Sequence, residues 1–255
     1  MRFGICVGGK ADNIKIAAAA GADYIESCFS LLAEADDEKF ARFKAELEAN
    51  DIRCESVNCF LPGRLKVTGE NADFDALREY VEKGFSRAAD IGVVTVVFGS
   101  SGAREVPEGF GYDKAYRQII DFLKTVVTPL CLKYGITVTL EPLGPDDSNI
   151  INSAQEGAAI VAAVDTEPVK LLVDLYHMAN KADTPKDVRK LKGLIRHSHI
   201  AEPVTRNYPT DGAAYDYADF IAALEETGCT RCSVEASTDE FEKDCFGAMK
   251  LLKSL

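Results

Sequence analysis

The run Lys170-Leu-Leu-Val-Asp-Leu-Tyr-His-Met178 decides how the rest of the chain is read. From Val169 to Val173 it is apolar enough to be a strand buried on both faces, and it runs straight into an acid, Asp174, followed three residues later by His177. An isolated carboxylate at the tip of a buried strand is too costly to stay charged. Asp174 must therefore be hydrogen-bonded, ion-paired or bound to a metal.

Three other stretches repeat the pattern. Ile136–Glu141 ends on Glu141, Leu194–Ile200 carries His199 with Glu202 just beyond, and Arg231–Ala236 carries Glu235. Each is a short apolar or β-branched run that delivers a metal-ligating side chain at its carboxyl end. Glu141, Asp174, His199 and Glu235 together offer three carboxylates and one imidazole. Such a set suits Mn²⁺, Mg²⁺ or Co²⁺ better than thiolate-seeking zinc. The alternative is that each acid caps the following helix or pairs with a neighbouring base; recurrence at four successive strand ends favours the metal.

Outward from these strands the sequence alternates strand and helix from end to end. Strands are expected at Arg2–Val7, Asp23–Ser27, Arg53–Asn58, Val93–Phe98, Ile136–Glu141, Val169–Asp174, Leu194–Ile200 and Arg231–Ala236. Amphipathic helices are expected at Asp12–Ala20, Asp36–Asn50, Asp73–Ile91, Asp113–Tyr134, Ser153–Val164, Lys186–Lys192, Tyr217–Thr227 and Glu240–Lys253. Gly21, Gly92, Gly135 and Gly228 stand just past helix ends, where a left-handed cap is wanted. Eight strand-helix units in 255 residues predict an α/β fold, one (β/α)₈ TIM barrel spanning residues 1–255 as a single domain. In such a barrel the carboxyl ends of the strands converge on one mouth. Residues two apart share a face, so Thr139, Leu172, His197 and Ser233 are expected to point inward with the four ligands. Tyr24 and Glu26 follow the same rule, with Glu26 either facing the site or serving as a buried structural acid.

The formal net charge of −12 makes a nucleic acid an unsuitable partner, and no apolar run is long enough to span a membrane. With no targeting signal, a cytoplasmic location is expected. Eight scattered cysteines lack framework spacing and read as reduced, mostly small buried hydrophobes, the Cys229-x-x-Cys232 pair included. The glycine-rich stretch Phe98–Gly111 follows strand four and should lie at the mouth, with Arg104 either touching substrate or belonging to a lid. Asn58, Phe60 and Arg64 are candidate wall residues, Phe60 more as packing.

The order Glu141, Asp174, His199, Glu235, with the D-x-x-H of Asp174–His177 and the H-x-x-E of His199–Glu202, resembles the xylose isomerase-like barrels, and within them the D-tagatose 3-epimerase and hydroxypyruvate isomerase branch. The resemblance covers nearly the whole chain. It implies a divalent ion, usually Mn²⁺, held by those four residues, with Glu141 and Glu235 performing the proton transfers. It also implies a small sugar or sugar phosphate as substrate, and a homo-oligomer. Asp147 stands six residues after Glu141, where the family often has a second acid, and Asn152-Ser153 matches the start of its fifth helix. Two features depart from the pattern: Arg206 follows His199 by seven residues where the family's epimerases tend to have six, and Leu143-Gly-Pro-Asp-Asp147 replaces an asparagine-arginine-phenylalanine. His177, Glu202 and Arg206, beyond the strand tips, are expected to meet substrate hydroxyls.

The expected chemistry is removal of a proton next to a ketose carbonyl through an enediolate. One glutamate on each face gives 3-epimerisation, a different pose gives aldose–ketose isomerisation, and loss of a β-hydroxyl gives an inosose-type dehydration. A sugar-binding or scaffold barrel without catalysis is the non-enzymatic alternative. An endonuclease IV-type repair enzyme, built on the same barrel with three zinc ions, would need more histidines than the three present.

Overall fold

The computed structural model describes residues 1–181 and 183–255. Its strands are β1 (Arg2–Gly8), β2 (Tyr24–Cys28), β3 (Cys54–Asn58), β4 (Thr95–Phe98), β5 (Thr137–Leu140), β6 (Val169–Asp174), β7 (Ile195–Ile200) and β8 (Arg231–Val234). They pair in parallel in chain order, and β8 returns to β1 to close the barrel. This is the (β/α)₈ architecture that the alternation of strands and helices predicts. Among the described residues no helix is long and apolar enough to cross a membrane.

Two layers of packing fix the strand tips. Outside the sheet, Phe29, Phe60, Phe85, Phe98 and Phe122 are fully buried and meet with ring centroids 5.0–6.3 Å apart, largely edge to face. Phe60 is therefore core, and Gly84 is a glycine because a Cβ there would run into the Phe29 ring. Inside the barrel, polar groups replace the usual branched aliphatic layers. Tyr24, Glu26, Ser56, Thr139, His197 and Ser233 are all buried there, and Gly4 leaves the space the Tyr24 ring occupies.

Strands β5 and β8 end slightly earlier than the sequence suggests, whereas β1 and β2 each run one residue further. Glu141 and Glu235 each lie one residue beyond the strand, yet the backbone N–H of Glu141 still donates to Phe98 O (3.1 Å) and that of Glu235 to Ile200 O (3.2 Å). Those last rungs aim both side chains from the sheet. The helix expected at Asp113–Tyr134 is interrupted by a π turn at Leu123–Val127. Pro129 has no N–H to continue the ladder, and the Thr125 carbonyl accepts from Arg78 Nη2 (2.9 Å) instead. Short helices at Phe29–Ala33, Ser101–Arg104 and Leu175–Ala179, too brief to show a period, follow β2, β4 and β6. All eight cysteines are free thiols; Cys229 and Cys232 are buried as expected, but Cys59 is exposed and Cys6 and Cys28 are half-buried.

Candidate active site

Register brings the candidate ligands to one level. Asp174 on β6 pairs with His199 on β7, and His199 pairs with Ser233, two residues before Glu235. One ligand atom from each of Glu141, Asp174, His199 and Glu235 lies within 4.8 Å of every other. Nδ1 of the fully buried His199 ring stands 3.1 Å from Glu141 Oε1, 3.5 Å from Glu235 Oε2 and 3.8 Å from Asp174 Oδ2.

Asp174 answers both readings of a strand-end acid. Its Oδ1 accepts from the backbone N–H of Tyr176 (2.7 Å) and His177 (3.1 Å), capping the short helix Leu175–Ala179. Its Oδ2 is buried without a hydrogen-bond partner. A charged oxygen left bare in the interior is expensive unless a cation takes it. With an imidazole and three carboxylates converging on the same space, the residues fit a hard divalent ion.

The charges are unbalanced in the same sense. Burial pushes the Glu235 carboxyl up, and Glu141, Asp174 and Glu26 reinforce the shift against the pull of His199. Burial also opposes ionisation of Glu141, but its hydrogen bond to His199 and the nearby positive charges outweigh it and hold that carboxyl down. His199 is pushed well above the ordinary imidazole range: burial works against its charge, and the surrounding glutamates overcome it. Acid outnumbers base at this mouth.

Above the ring lies a cavity of about 310 Å³, lined among others by Asn58, Gly99, Ser100, Asp147, His177 and Arg206. That is at the small end for ligand clefts, which run about 300–1,000 Å³. His177 Nδ1 accepts from the Gly144 N–H (3.1 Å), which leaves Nε2 as the N–H of the ring, and Asp147 lies 3.5 Å from the same Nδ1. Arg206 donates to Glu235 Oε2 (3.0 Å) and lies over the Tyr176 ring at 4.9 Å. The additional residue in the His199–Arg206 spacing is absorbed in a turn, where Arg206 N–H donates to Glu202 O (2.9 Å) and Arg206 adopts a left-handed φ of 58°.

Two expected substrate contacts lie elsewhere. Arg104 is fully buried, donating to Phe98 O (3.2 Å) and Glu141 O (2.8 Å), so it clamps the tips of β4 and β5 from behind instead of facing a sugar. Burial brings its pKa down to about 10. Glu202 turns into its own loop, where one carboxylate oxygen accepts from the N–H of Val204 (3.1 Å) and Thr205 (2.5 Å) and from the Thr205 hydroxyl (2.6 Å). It shapes the loop that carries Arg206. Arg64 pairs with Glu34 at 2.7 Å, outside the cavity wall.

Other residues prove more important than the sequence suggests. Asn58 Nδ2 donates to Glu235 Oε1 (2.8 Å), and Gly99 is required because a Cβ there would strike Glu141 Oε2. Both stand at strand ends, Asn58 closing β3 and Gly99 following β4, so the rule that singled out Asp174 also marks them. Their partners, however, come from distant strands and leave no local trace.

The profile described as "Xylose isomerase-like TIM barrel" matches residues 14–255. The chain belongs to that family. A D-psicose 3-epimerase of Agrobacterium fabrum (strain C58 / ATCC 33970) is 25% identical over 207 residues, covering 78% of this chain and 69% of the relative. A putative hydroxypyruvate isomerase of Drosophila melanogaster is 34% identical over 79 residues, only 31% of this chain and 30% of that protein's length. The crystal structure of a D-psicose 3-epimerase in the presence of D-fructose superposes with a TM-score of 0.87 at 18% identity, covering 100% of this chain and 99% of the other. That likeness is one of fold.

Proposed function

We propose that this protein is a divalent-metal-dependent ketose 3-epimerase, with Glu141 and Glu235 as the acid/base pair and Glu141, Asp174, His199 and Glu235 as the metal ligands. The observation that carries this reading is the convergence of those four donors, one oxygen of them bare, beneath a cavity sized for a monosaccharide. A bound ion would draw electron density from a ketose carbonyl and offset the charge left when the adjacent C–H loses its proton.

The chain's own groups supply the rest. Glu141 descends from the tip of β5 and Glu235 from that of β8, so the two carboxylates reach the cavity from different sides. One can remove a proton from one face of the sugar's reacting carbon while the other returns a proton to the opposite face. Asn58 and Arg206 hold Glu235 by its two oxygens, and Gly99 leaves room for the free oxygen of Glu141. The His177 Nε2–H, Asp147 and Arg206 line the wall as hydroxyl partners. The only guanidinium in the cavity lining, that of Arg206, is already paired with Glu235, which favours an uncharged sugar over a phosphorylated one. Mn²⁺ is the metal we expect, with Mg²⁺ and Co²⁺ as substitutes.

The local match to a hydroxypyruvate isomerase supports a second reading, a 1,2-isomerisation on the same carboxylates. Incubation with a panel of ketoses in D₂O and Mn²⁺ separates the two. Epimerisation places deuterium at C3, and isomerisation places it at C1 or C2. No exchange with any ketose in the presence of bound metal would leave a sugar-binding barrel without catalysis.

A further inference from the structure

Glu26 is a buried acid of the barrel interior that neither lines the cavity nor belongs to the four-residue ligand ring. It sits on β2 with no exposed surface. Its Oε1 lies 2.8 Å from Nε2 of His199, and its Oε2 lies 2.8 Å from Nε2 of His197. Among the described residues no lysine or arginine pairs with it, so two imidazoles are its whole support. The arrangement continues downward: Ser56 Oγ (3.3 Å) and Ser233 Oγ (3.4 Å) approach the same His197 nitrogen, and Tyr24 OH bonds Ser233 (3.0 Å).

The two ring protons can be assigned from these contacts. A carboxylate is an acceptor only, so it calls for Nε2–H on both rings. Nδ1 of His197 is buried and without a partner, the place of a bare lone pair in preference to a stranded N–H. On His199 Glu26 takes the Nε2–H, so Nδ1 is the atom left to face the space between Glu141, Asp174 and Glu235, with a lone pair once an ion displaces the proton it shares with Glu141.

We propose that Glu26, held by His197, is a positioning residue that fixes the tautomer and tilt of His199 and thereby sets the affinity of the four-residue site for a divalent ion. The inference rests on the metal site advanced above and extends it to two residues that the ligand set does not include. Ligating histidines commonly lean on such a carboxylate, and its loss costs about 10–100-fold in metal affinity. Glutamine in place of Glu26 offers one acceptor and one amide donor, so it cannot accept from both Nε2–H groups, and it also removes a negative charge close to the ion.

The test is a Mn²⁺ titration followed by calorimetry or electron paramagnetic resonance, on the full chain and on Glu26→Gln, well below the melting temperature of each. The expected result is about 10–100-fold weaker Mn²⁺ binding in the variant. A merely structural role for Glu26 would lower the melting temperature of the metal-free variant and leave the affinity unchanged, which would overturn the proposal. If Glu26→Gln fails to fold, ¹⁵N spectra of the wild-type imidazoles with Zn²⁺ bound give the answer, since only three histidines need assignment. A proton on Nε2 of His199 and of His197 supports the assignment, and a proton on Nδ1 of His199 overturns it. Failure of the wild-type chain to bind Mn²⁺ at all would remove the metal site itself and this inference with it. Tight wild-type binding with an unchanged variant would remove this inference alone.

Discussion

The two ends of the barrel handle buried acid in opposite ways. At the amino end of the strands, Glu55 is nearly inaccessible and is met by Arg2, Arg53 and Arg231 at 2.7, 3.4 and 2.9 Å. At the carboxyl end, Glu141, Asp174 and Glu235 crowd one histidine ring, with Arg206 on Glu235 and Arg104 turned to carbonyls behind Glu141. The first arrangement is electrostatically complete within the chain; the second is not, and its residues are able to hold a cation. The difference follows the division of labour in this fold, stability at the bottom and chemistry at the mouth.

Removing an acid should therefore have opposite consequences at the two ends. Glu235→Gln is expected to slow deuterium exchange into a ketose by about 10²–10⁴-fold, the range for loss of a general acid or base. Because it relieves repulsion, it should leave the metal-free melting temperature unchanged or raised. A collapse of that temperature would show Glu235 to be structural. Glu55→Gln should do the reverse. It strands three guanidiniums, each partly exposed, and the loss of such charge-assisted bonds is worth about 1.5–3 kcal/mol. Calorimetry should find a melting temperature several degrees lower with Mn²⁺ affinity untouched.

Much of this contrast is legible in the sequence, and the reason is local. Val169–Asp174 is a buried strand that ends on an acid, and Thr137–Leu140 and Arg231–Val234 are each followed at once by one, so their direction and the side of the barrel they serve follow from period and position alone. What escapes is whatever depends on partners far along the chain. Arg104 sits in a glycine-rich loop after a strand, the usual place for a substrate contact, but Glu141 O and Phe98 O claim its guanidinium. Glu202 has the spacing of a family motif, yet the N–H groups of its own turn claim its carboxylate. Glu26 is visible as an inward acid, whereas its two histidines come from β7, 171 and 173 residues away.

A milder effect is expected from the charge on His199. In the metal-free protein the surrounding carboxylates raise the pKa of His199, so a proton occupies the ring that an ion must use. Binding of an ion there would release that proton. Mn²⁺ affinity should accordingly fall as pH drops through the raised value, by up to about tenfold per pH unit for one proton, and level off above it. A flat titration across that range would place the ion away from His199.

Anomalous scattering from crystals grown with Mn²⁺ would locate the ion itself. A single peak is expected at the barrel mouth, within bonding distance of a carboxylate oxygen of Glu141 and of Glu235, Asp174 Oδ2 and His199 Nδ1. An empty mouth at saturating Mn²⁺, or a peak bound by other residues while Asp174 Oδ2 stays bare, would contradict the four-residue site.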